Sequence, residues 1–329
     1  MVSSRGTARR YDALAAELGA RAVRHQPLGP LTTYGVGGPA ELLVDVDGPG
    51  DLDAVRAVLI GSDVALCVIG RGSNLLVADA GFCGVAVRLG TGFSSVGLPD
   101  RGPAATPPFV VRAGGATPLP VLARRAADAG WAGLTWAVGV PGTVGGAVRM
   151  NAGGHGSDVA GCLRRYTWVD LLSADGGTDD ASRLQFAYRS SSVAASQLVV
   201  EAEFDVSRGD AASERAEVAA IVRWRRRHQP GGSNAGSVFT NPPGDSAGRL
   251  IEEAGLKGFR LGTAHVSEKH ANFIQADKGG RADDVRALME HVRLAVRAHC
   301  GVTLTAEVRL LGFPERETGD VGATEATGS

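Results

Sequence analysis

Residues 137–154 read A-V-G-V-P-G-T-V-G-G-A-V-R-M-N-A-G-G. A flexible surface linker with so much glycine fills its gaps with serine and charge. Here the gaps hold valine, alanine and methionine, a proline stands at 141, and Arg149 is the lone charge. Such a segment belongs inside a molecule, with its main chain against something large and flat. Glycine lets a backbone approach a ligand closely and adopt positive φ. Bare N–H groups at such turns form concavities that take anions. The stretch reads as a dinucleotide cradle, against the alternative of a tight β-corner where two backbones cross.

A second glycine turn lies upstream. Residues 64–69 are a short apolar strand running into Gly70, Arg71, Gly72, Ser73 and Asn74, followed by Leu75, Leu76 and Val77. A strand that ends this way offers consecutive N–H groups and a hydroxyl to a phosphate. No helical pattern follows, so this is not the G-x-G-x-x-G turn that opens a long helix. The Lys-Ser/Thr pair of a Walker loop is missing too. Alone the motif is weak; beside 137–154 it supports the same cradle.

The rest of the pattern is α+β. Residues 1–10 are expected to be disordered and 11–22 to form a short helix. Strands are expected over 41–46, 85–89, 109–113, 164–172 and 198–206. Asp51 reads as the cap of a helix with Leu52, Val55, Val58 and Leu59 on one face. Thr117 reads as an N-cap before Pro118 at the first helical position. That helix runs to about residue 129 and stops at Gly130. The polar S-R-G-D at 207–210 marks a boundary. Beyond it, helices are expected over 212–227, over 247–254 with Ser246 as cap and Gly255 as stop, and over 282–299. The last carries Val285, Leu288, Met289, Val292 and Val296 on one face and ends at Gly301. Residues 303–310 alternate as a strand with Glu307 on its polar side. The chain thus divides into an N-terminal extension (1–24), a cofactor unit (25–206), a C-terminal unit (207–314) and a polar, disordered tail (315–329).

Composition narrows the partners. A length of 329 residues allows two or three domains, and a hydrophobic content of 44% supplies a sizeable core. A net charge of −1 argues against nucleic acid. No apolar run approaches the roughly 18 residues of a membrane span, and no secretory leader follows the N-terminal basic residues. Cys67, Cys83, Cys162 and Cys300 are too widely spaced for a metal pattern. They read as reduced core thiols of a cytoplasmic protein, and no metal is expected. The basic run at 223–227 reads as a solvated helix end, with contact to an anionic substrate as the alternative.

V-G-V-P-G-T-V-G-G-A-V-R-M-N-A-G at 138–153 resembles the flavin-binding signature of the UDP-N-acetylenolpyruvoylglucosamine reductases, which complete UDP-N-acetylmuramate for bacterial peptidoglycan. G-R-G-S-N-L-L-V at 70–77 is similar to that family's pyrophosphate loop. F-A-Y-R-S-S at 186–191, N-A-G-S-V-F-T-N-P at 234–242 and A-E-V-R-L-L-G at 306–312 match its three catalytic segments. A-G-R-L-I-E-E-A-G-L-K-G at 247–258, followed by H-A-N-F-I at 270–274, matches as well. The motifs keep the family's order over about residues 25–313.

The resemblance implies a two-part FAD domain of the vanillyl-alcohol oxidase (PCMH) type, then a smaller α/β substrate domain. It assigns catalysis to Arg189, Ser237 and Glu307. It assigns FAD contacts to Tyr34, Gly70, Arg71, Gly72, Ser73, Asn74 and Leu75, then to Gly139, Pro141, Gly142, Thr143, Gly145, Gly146, Val148, Met150, Asn151 and Ala152. Substrate contacts fall on Tyr188, Arg225 and Asn241. The span from Tyr188 to Ser237 lacks the insertion that gives longer members a substrate-contacting tyrosine, so the chain resembles the short, type II-like class. Many members carry Lys where Thr240 stands and Tyr where His155 stands. His155, His265 and His270 read as structural. The first loop holds no histidine to tether a flavin, so the FAD is expected to be non-covalent. The implied partners are NADPH and UDP-N-acetylglucosamine enolpyruvate, used by a cytoplasmic monomer.

The implied reaction carries hydride from NADPH to FAD, then from reduced flavin to the methylene carbon of an enolpyruvyl ether. Charge then gathers on the adjacent carbon and its carboxylate. That near-dianion needs fixed positive charge and hydrogen-bond donors. Arg189 offers a bidentate fork to the carboxylate. Glu307, kept protonated by burial, donates to the enolate. Ser237, held in the turn after Gly236, protonates the carbon. Without the resemblance, Ser237 reads as a turn hydroxyl, Arg189 as a surface charge and Glu307 as a solvent-facing strand residue. Gly145 and Gly146 are expected against the flavin ring or its pyrophosphate, where a Cβ branch clashes. A flavin oxidase or dehydrogenase of the same cofactor fold would show a tethering histidine and another C-terminal module. A silent nucleotide-binding protein would have lost one of the three catalytic residues.

Overall fold

The computed structural model describes residues 4–314. Its first unit runs α1 (Ser4–Leu18), β1 (Ala22–Arg24), β2 (Ala40–Val46), α2 (Pro49–Leu59), β3 (Leu66–Val68), β4 (Leu75–Val77) and β5 (Phe82–Leu89). Four of these strands form a sheet in the order β1-β2-β5-β3. β1 is antiparallel to β2, and the other pairings are parallel. Alternate side chains point to opposite faces of a strand. Leu42, Val44, Val46, Val85 and Val87 share a core with Tyr11, Leu14 and Leu18 of α1 and Leu52, Val55 and Leu59 of α2. Leu43 and Ala86 take the other layer, with Leu28, Ile69 and Val77.

The second unit holds β6 (Val96–Gly97), β7 (Phe109–Gly114), α3 (Leu119–Asp128), β8 (Trp131–Ala132), α4 (Val144–Met150), the hairpin β9 (Gly153–Gly154) and β10 (Ser157–Asp158), β11 (Leu163–Asp170), β12 (Gly176–Asp180), β13 (Gln197–Arg208) and α5 (Ala211–His228). Its antiparallel sheet has the order β12-β11-β13-β7-β6, with β8 on the end of β13. Val111, Ala202 and Phe204 of the sheet meet Leu122 and Ala126 of α3, Val144 and Val148 of α4, and Val218 and Ile221 of α5.

The third unit holds α6 (Ala247–Glu253), β14 (Arg260–Leu261), β15 (Ala264–Val266), β16 (Ile274–Ala276), α7 (Ala282–Cys300) and β17 (Arg309–Leu311). β14-β15-β16 form a small antiparallel sheet. The apolar face of α7 joins Leu250 and Ile251 of α6 in a core that also takes in Tyr34, Val36 and Leu76 from the first unit. β17 leaves its own unit and pairs in parallel with β4, Arg309 opposite Leu75 and Leu311 opposite Val77. A second tie joins the same two units. Asp79 accepts the Ala282 N–H at 2.9 Å and the Asp283 N–H at 3.2 Å, and it pairs with Arg281. It caps α7 from the far side of the sequence, where Arg281 at the N-cap position makes no side-chain cap.

Several expectations need correction. Residues 4–10, expected to be disordered, belong to α1, which ends at Leu18 rather than 22. The stretch read as an extension before the fold therefore packs in the first core. Gly48 is the N-cap of α2; Asp51 lies in its first turn and bonds Arg21. Pro118 is the N-cap of α3, and the Thr117 hydroxyl donates to the Ser95 carbonyl. Residues 303–310 are not a continuous strand: Ala306 forms an isolated antiparallel bridge with Phe239, and strand pairing begins at Arg309. α5, assigned to the C-terminal unit, packs in the second core. Cys83 and Cys300 are exposed, and Cys67 is half-buried; only Cys162 is a core thiol. The 315–329 tail lies outside the described residues. Among the described residues, no helix is long and apolar enough to cross a membrane.

The cap from Asp79 has a measurable consequence. Asp79→Ala is expected to lower stability by about 0.5–2 kcal/mol, the usual worth of a helix cap, read from the unfolding midpoint in denaturant. An unchanged midpoint means that the cap does not hold the third unit in place.

Candidate active site

The two glycine turns face each other. A Cβ on Gly70 would lie 2.5 Å from Thr143 Oγ1, and one on Gly142 would lie 3.4 Å from Ser73 Oγ. Side chains at these glycines would push the turns apart. Gly72 has a φ of +59°, and a Cβ there would run into the carbonyl of Leu31. The segment before β2 wraps this turn, with Thr33 N–H donating to the Gly72 carbonyl at 3.2 Å. Tyr34 next to it is fully buried, and its hydroxyl has no hydrogen-bond partner. Burial pushes that hydroxyl's pKa up. Thr143 caps α4 by accepting the Gly146 N–H at 3.4 Å. Gly146, Pro141, Gly70 and Arg71 are exposed. Two opposed turns of bare backbone, two hydroxyls at their junction and an orphaned buried phenol beside them fit a dinucleotide such as FAD.

Not every residue expected in this cradle presents a side chain to it. A Cβ on Gly145 would lie 2.9 Å from the Val199 carbonyl, so this glycine lets α4 sit hard on β13. The β-corner alternative thus has a helix crossing a strand at its centre. Val148 is buried in the second core. Leu75 is half-buried in β4, and Met150 is half-buried at the end of α4. Gly139 rests on His155, whose Cδ2 would lie 3.0 Å from a Cβ there. The Ala152 N–H donates to the Ala147 carbonyl. Asn151 adopts φ +40° and is buried. Its Nδ2 donates to the Ala187 carbonyl at 3.0 Å, and its Oδ1 accepts the Ala160 N–H at 3.0 Å.

That first bond of Asn151 links the cradle to segment 186–191, where Arg189 is expected to act. Ala187 and Ser190 exchange two backbone hydrogen bonds, of 3.0 and 3.1 Å. Arg189 inside this turn has a φ of +57°. A non-glycine residue there carries strain of about 1–2 kcal/mol, which the surrounding bonds must offset. The strained turn aims Arg189 at Glu307, with Nε 3.1 Å from Oε1. Their side chains are 23% and 17% exposed, so the pair is largely dry but reachable. Burial pushes the Glu307 carboxyl up, and Arg189 offsets part of that rise. Ser237 follows Gly236, at φ +77°, in a loop tied by Asn234 accepting the Gly236 N–H at 3.0 Å. The Glu307 N–H donates to the carbonyl of Val238 at 2.8 Å. The structure therefore gathers Arg189, Ser237 and Glu307 from the second unit, the third unit and the run into β17.

Comparisons with known proteins cover both parts of the chain. The FAD binding domain family matches residues 40–181, and the C-terminal domain family of UDP-N-acetylenolpyruvoylglucosamine reductase matches residues 228–311. The UDP-N-acetylenolpyruvoylglucosamine reductase of Heliobacterium modesticaldum is 41% identical over 308 residues, covering 92% of this chain and 94% of that one. The chain belongs to the UDP-N-acetylenolpyruvoylglucosamine reductase family. A relative of the same name from Anaeromyxobacter sp. is 42% identical over 295 residues, 88% of each chain. The crystal structure of the reductase from Thermus caldophilus superposes with a TM-score of 0.74 at 33% identity, over 88% of this chain and 98% of that one. An FAD-binding domain is joined to a smaller C-terminal domain.

The expected substrate residues of this reductase are more scattered. Tyr188 is 58% exposed, with the Arg189 guanidinium 4.9 Å over its ring. Arg225 is half-buried on α5 and bonds Gln229 at 2.7 Å. Burial lowers its pKa, and its charge in turn helps burial to lower that of His155. Asn241 instead accepts the Ala247 N–H at the start of α6. Asn272 carries a structural role at the site that its motif did not disclose. Buried at 3% exposure, it bonds both the N–H and the carbonyl of Phe239, and its own carbonyl accepts the Val238 N–H. It thereby fixes the loop that holds Ser237. A lone carboxamide in the apolar run 271–274 was the available signal.

The facing turns yield a direct test. Gly70→Val is expected to weaken flavin retention by about tenfold or more, because its Cβ meets Thr143 within van der Waals overlap. Flavin content after gel filtration checks it. A variant that keeps a full complement of flavin shows that the closeness of the two turns does not matter to the cofactor.

Proposed function

We propose that this chain reduces the enolpyruvyl ether of UDP-N-acetylglucosamine to UDP-N-acetylmuramate at the expense of NADPH. The observation that carries the reading is the 3.1 Å approach of Arg189 and Glu307, with Ser237 one residue from the carbonyl that holds Glu307. The glycine turns would hold FAD non-covalently, and when bound it would supply the carrier for hydride. The protein's own groups manage the charge that hydride addition creates. Arg189 binds the substrate carboxylate through its guanidinium and keeps a fixed positive charge beside the developing enolate. Burial raises the Glu307 pKa against the lowering by Arg189, which favours the neutral acid. In that form it donates a hydrogen bond to the same enolate, as a neutral acid in a dry site does. Ser237 delivers a proton to the carbon next to the carboxylate. A serine hydroxyl is a weak acid, but an enolate carbon is a strong base, so placement decides the rate.

Tyr188, against the Arg189 guanidinium, offers an aromatic surface, and Arg225 on α5, beside His155, offers a cation for the nucleotide part of the substrate. All three units contribute to the site within a single chain, which supports action as a monomer. Four free cysteines with no disulfide suit the reducing cytoplasm.

Ser237→Ala is expected to separate the two half-reactions. Reduction of the bound flavin by NADPH needs no proton on carbon and stays near the parent rate. Reoxidation by the enolpyruvyl substrate slows by about 10²–10⁴, or roughly 3–5 kcal/mol of barrier. Ser237→Cys restores part of the loss, while Arg189→Ala raises KM as well as lowering turnover. Stopped-flow absorbance of the flavin follows both steps. Equal slowing of both half-reactions in Ser237→Ala removes the serine from proton delivery.

A further inference from the structure

We propose that Asn74, at the end of the first glycine turn, is a positioning residue for Glu307. Its Nδ2 donates to the Glu307 carbonyl at 3.1 Å, across 233 positions of sequence. Its own carbonyl accepts the Arg309 N–H at 3.0 Å. On the other side, the Glu307 N–H is held by Val238 at 2.8 Å. Glu307 is therefore pinned at both of its peptide groups, towards Ser237 by one and towards the cofactor turn by the other. An isolated antiparallel bridge between Ala306 and Phe239 holds the Val238 side, and the ladder with β4 begins only at Arg309, so the Glu307 carbonyl is left to Asn74. The Glu307 side chain then reaches Arg189, which is itself fixed by a strained turn.

The consequence is a mechanical link. The turn that cradles the cofactor also sets where the acid stands. A carboxyl on an untethered peptide would wander by an ångström, and errors of that size in a catalytic group are costly. Although the resemblance places Asn74 among the FAD contacts, its Nδ2 is engaged by the Glu307 carbonyl, which leaves the turn's backbone N–H groups and the Ser73 hydroxyl to meet the cofactor. This inference rests on the reductase reading for its kinetic part, but not for its structural part.

The test uses Asn74→Leu, which matches the shape of asparagine without its N–H donors, and Asn74→Ala as a second, smaller variant. Both are studied as the full-length flavin-loaded protein. Amide hydrogen exchange over residues 306–310 is expected to speed by about tenfold or more in both variants. Flavin content should match the parent. The kcat of reoxidation by the enolpyruvyl substrate should fall by about 10–100-fold, with its KM within about threefold and flavin reduction by NADPH within about twofold. Unchanged exchange at 306–310 overturns the proposal. So does flavin loss, or equal slowing of the two half-reactions, because Asn74 would then serve the cofactor turn itself. Should the parent chain not turn over the enolpyruvyl substrate, the functional reading fails, and the exchange data still decide whether Asn74 holds Glu307.

Discussion

The pairing of β17 with β4 is the constraint on which the site depends. It returns the C-terminal end of the fold to the first glycine turn, Arg309 opposite Leu75. Closing a loop of that length costs about 5 kcal/mol in chain entropy. Three parallel ladder pairs do not meet that alone. Tyr34, Val36 and Leu76 add to it by sharing the third unit's core, and Asp79 by capping α7. Once the strand is docked, Glu307 has little freedom left. Its own N–H is already bonded to the Val238 carbonyl and its own carbonyl to the Asn74 carboxamide.

Glu307 and Arg189 balance opposing terms. Burial favours the neutral acid, while the guanidinium favours the carboxylate. Burial is the larger cause, so the carboxyl retains its proton to higher pH than an ordinary glutamate. A proton kept in this way is useful only where negative charge develops, which is the demand that reduction of an enolpyruvyl ether makes. The strain at Arg189 and the positive φ at Gly236 belong to the same design, since both set the side chains proposed for catalysis at turns rather than on regular elements.

Local rules exposed much of this in the sequence. The periodic face of α7, its glycine stop, and the Ser246 cap of α6 rest on side chains within a few residues of each other, and all three are found. The two glycine turns were visible because close backbone approach leaves few residue choices. What the sequence concealed depends on distant partners. The run 303–310 alternates like a strand, yet before 309 it makes only an isolated bridge to Phe239 and single bonds to Val238, Thr240 and Asn74. α1 begins with polar, basic residues that resemble a loose terminus, but Tyr11, Leu14 and Leu18 seat it on the first sheet. Gly145 carries the signature of a ligand-facing glycine and serves a helix–strand crossing instead. No pattern in the chain announced that Asp79 would cap α7, because the two lie more than half the sequence apart.

The most direct measurement of the central claim is an anaerobic single turnover of the unaltered protein. The flavin-loaded chain is reduced with one equivalent of NADPH and mixed with UDP-N-acetylglucosamine enolpyruvate. The account predicts that the oxidised flavin spectrum returns and that one equivalent of UDP-N-acetylmuramate forms per flavin. Reduced flavin that persists in the presence of that substrate, yet reoxidises when air is admitted, would contradict it.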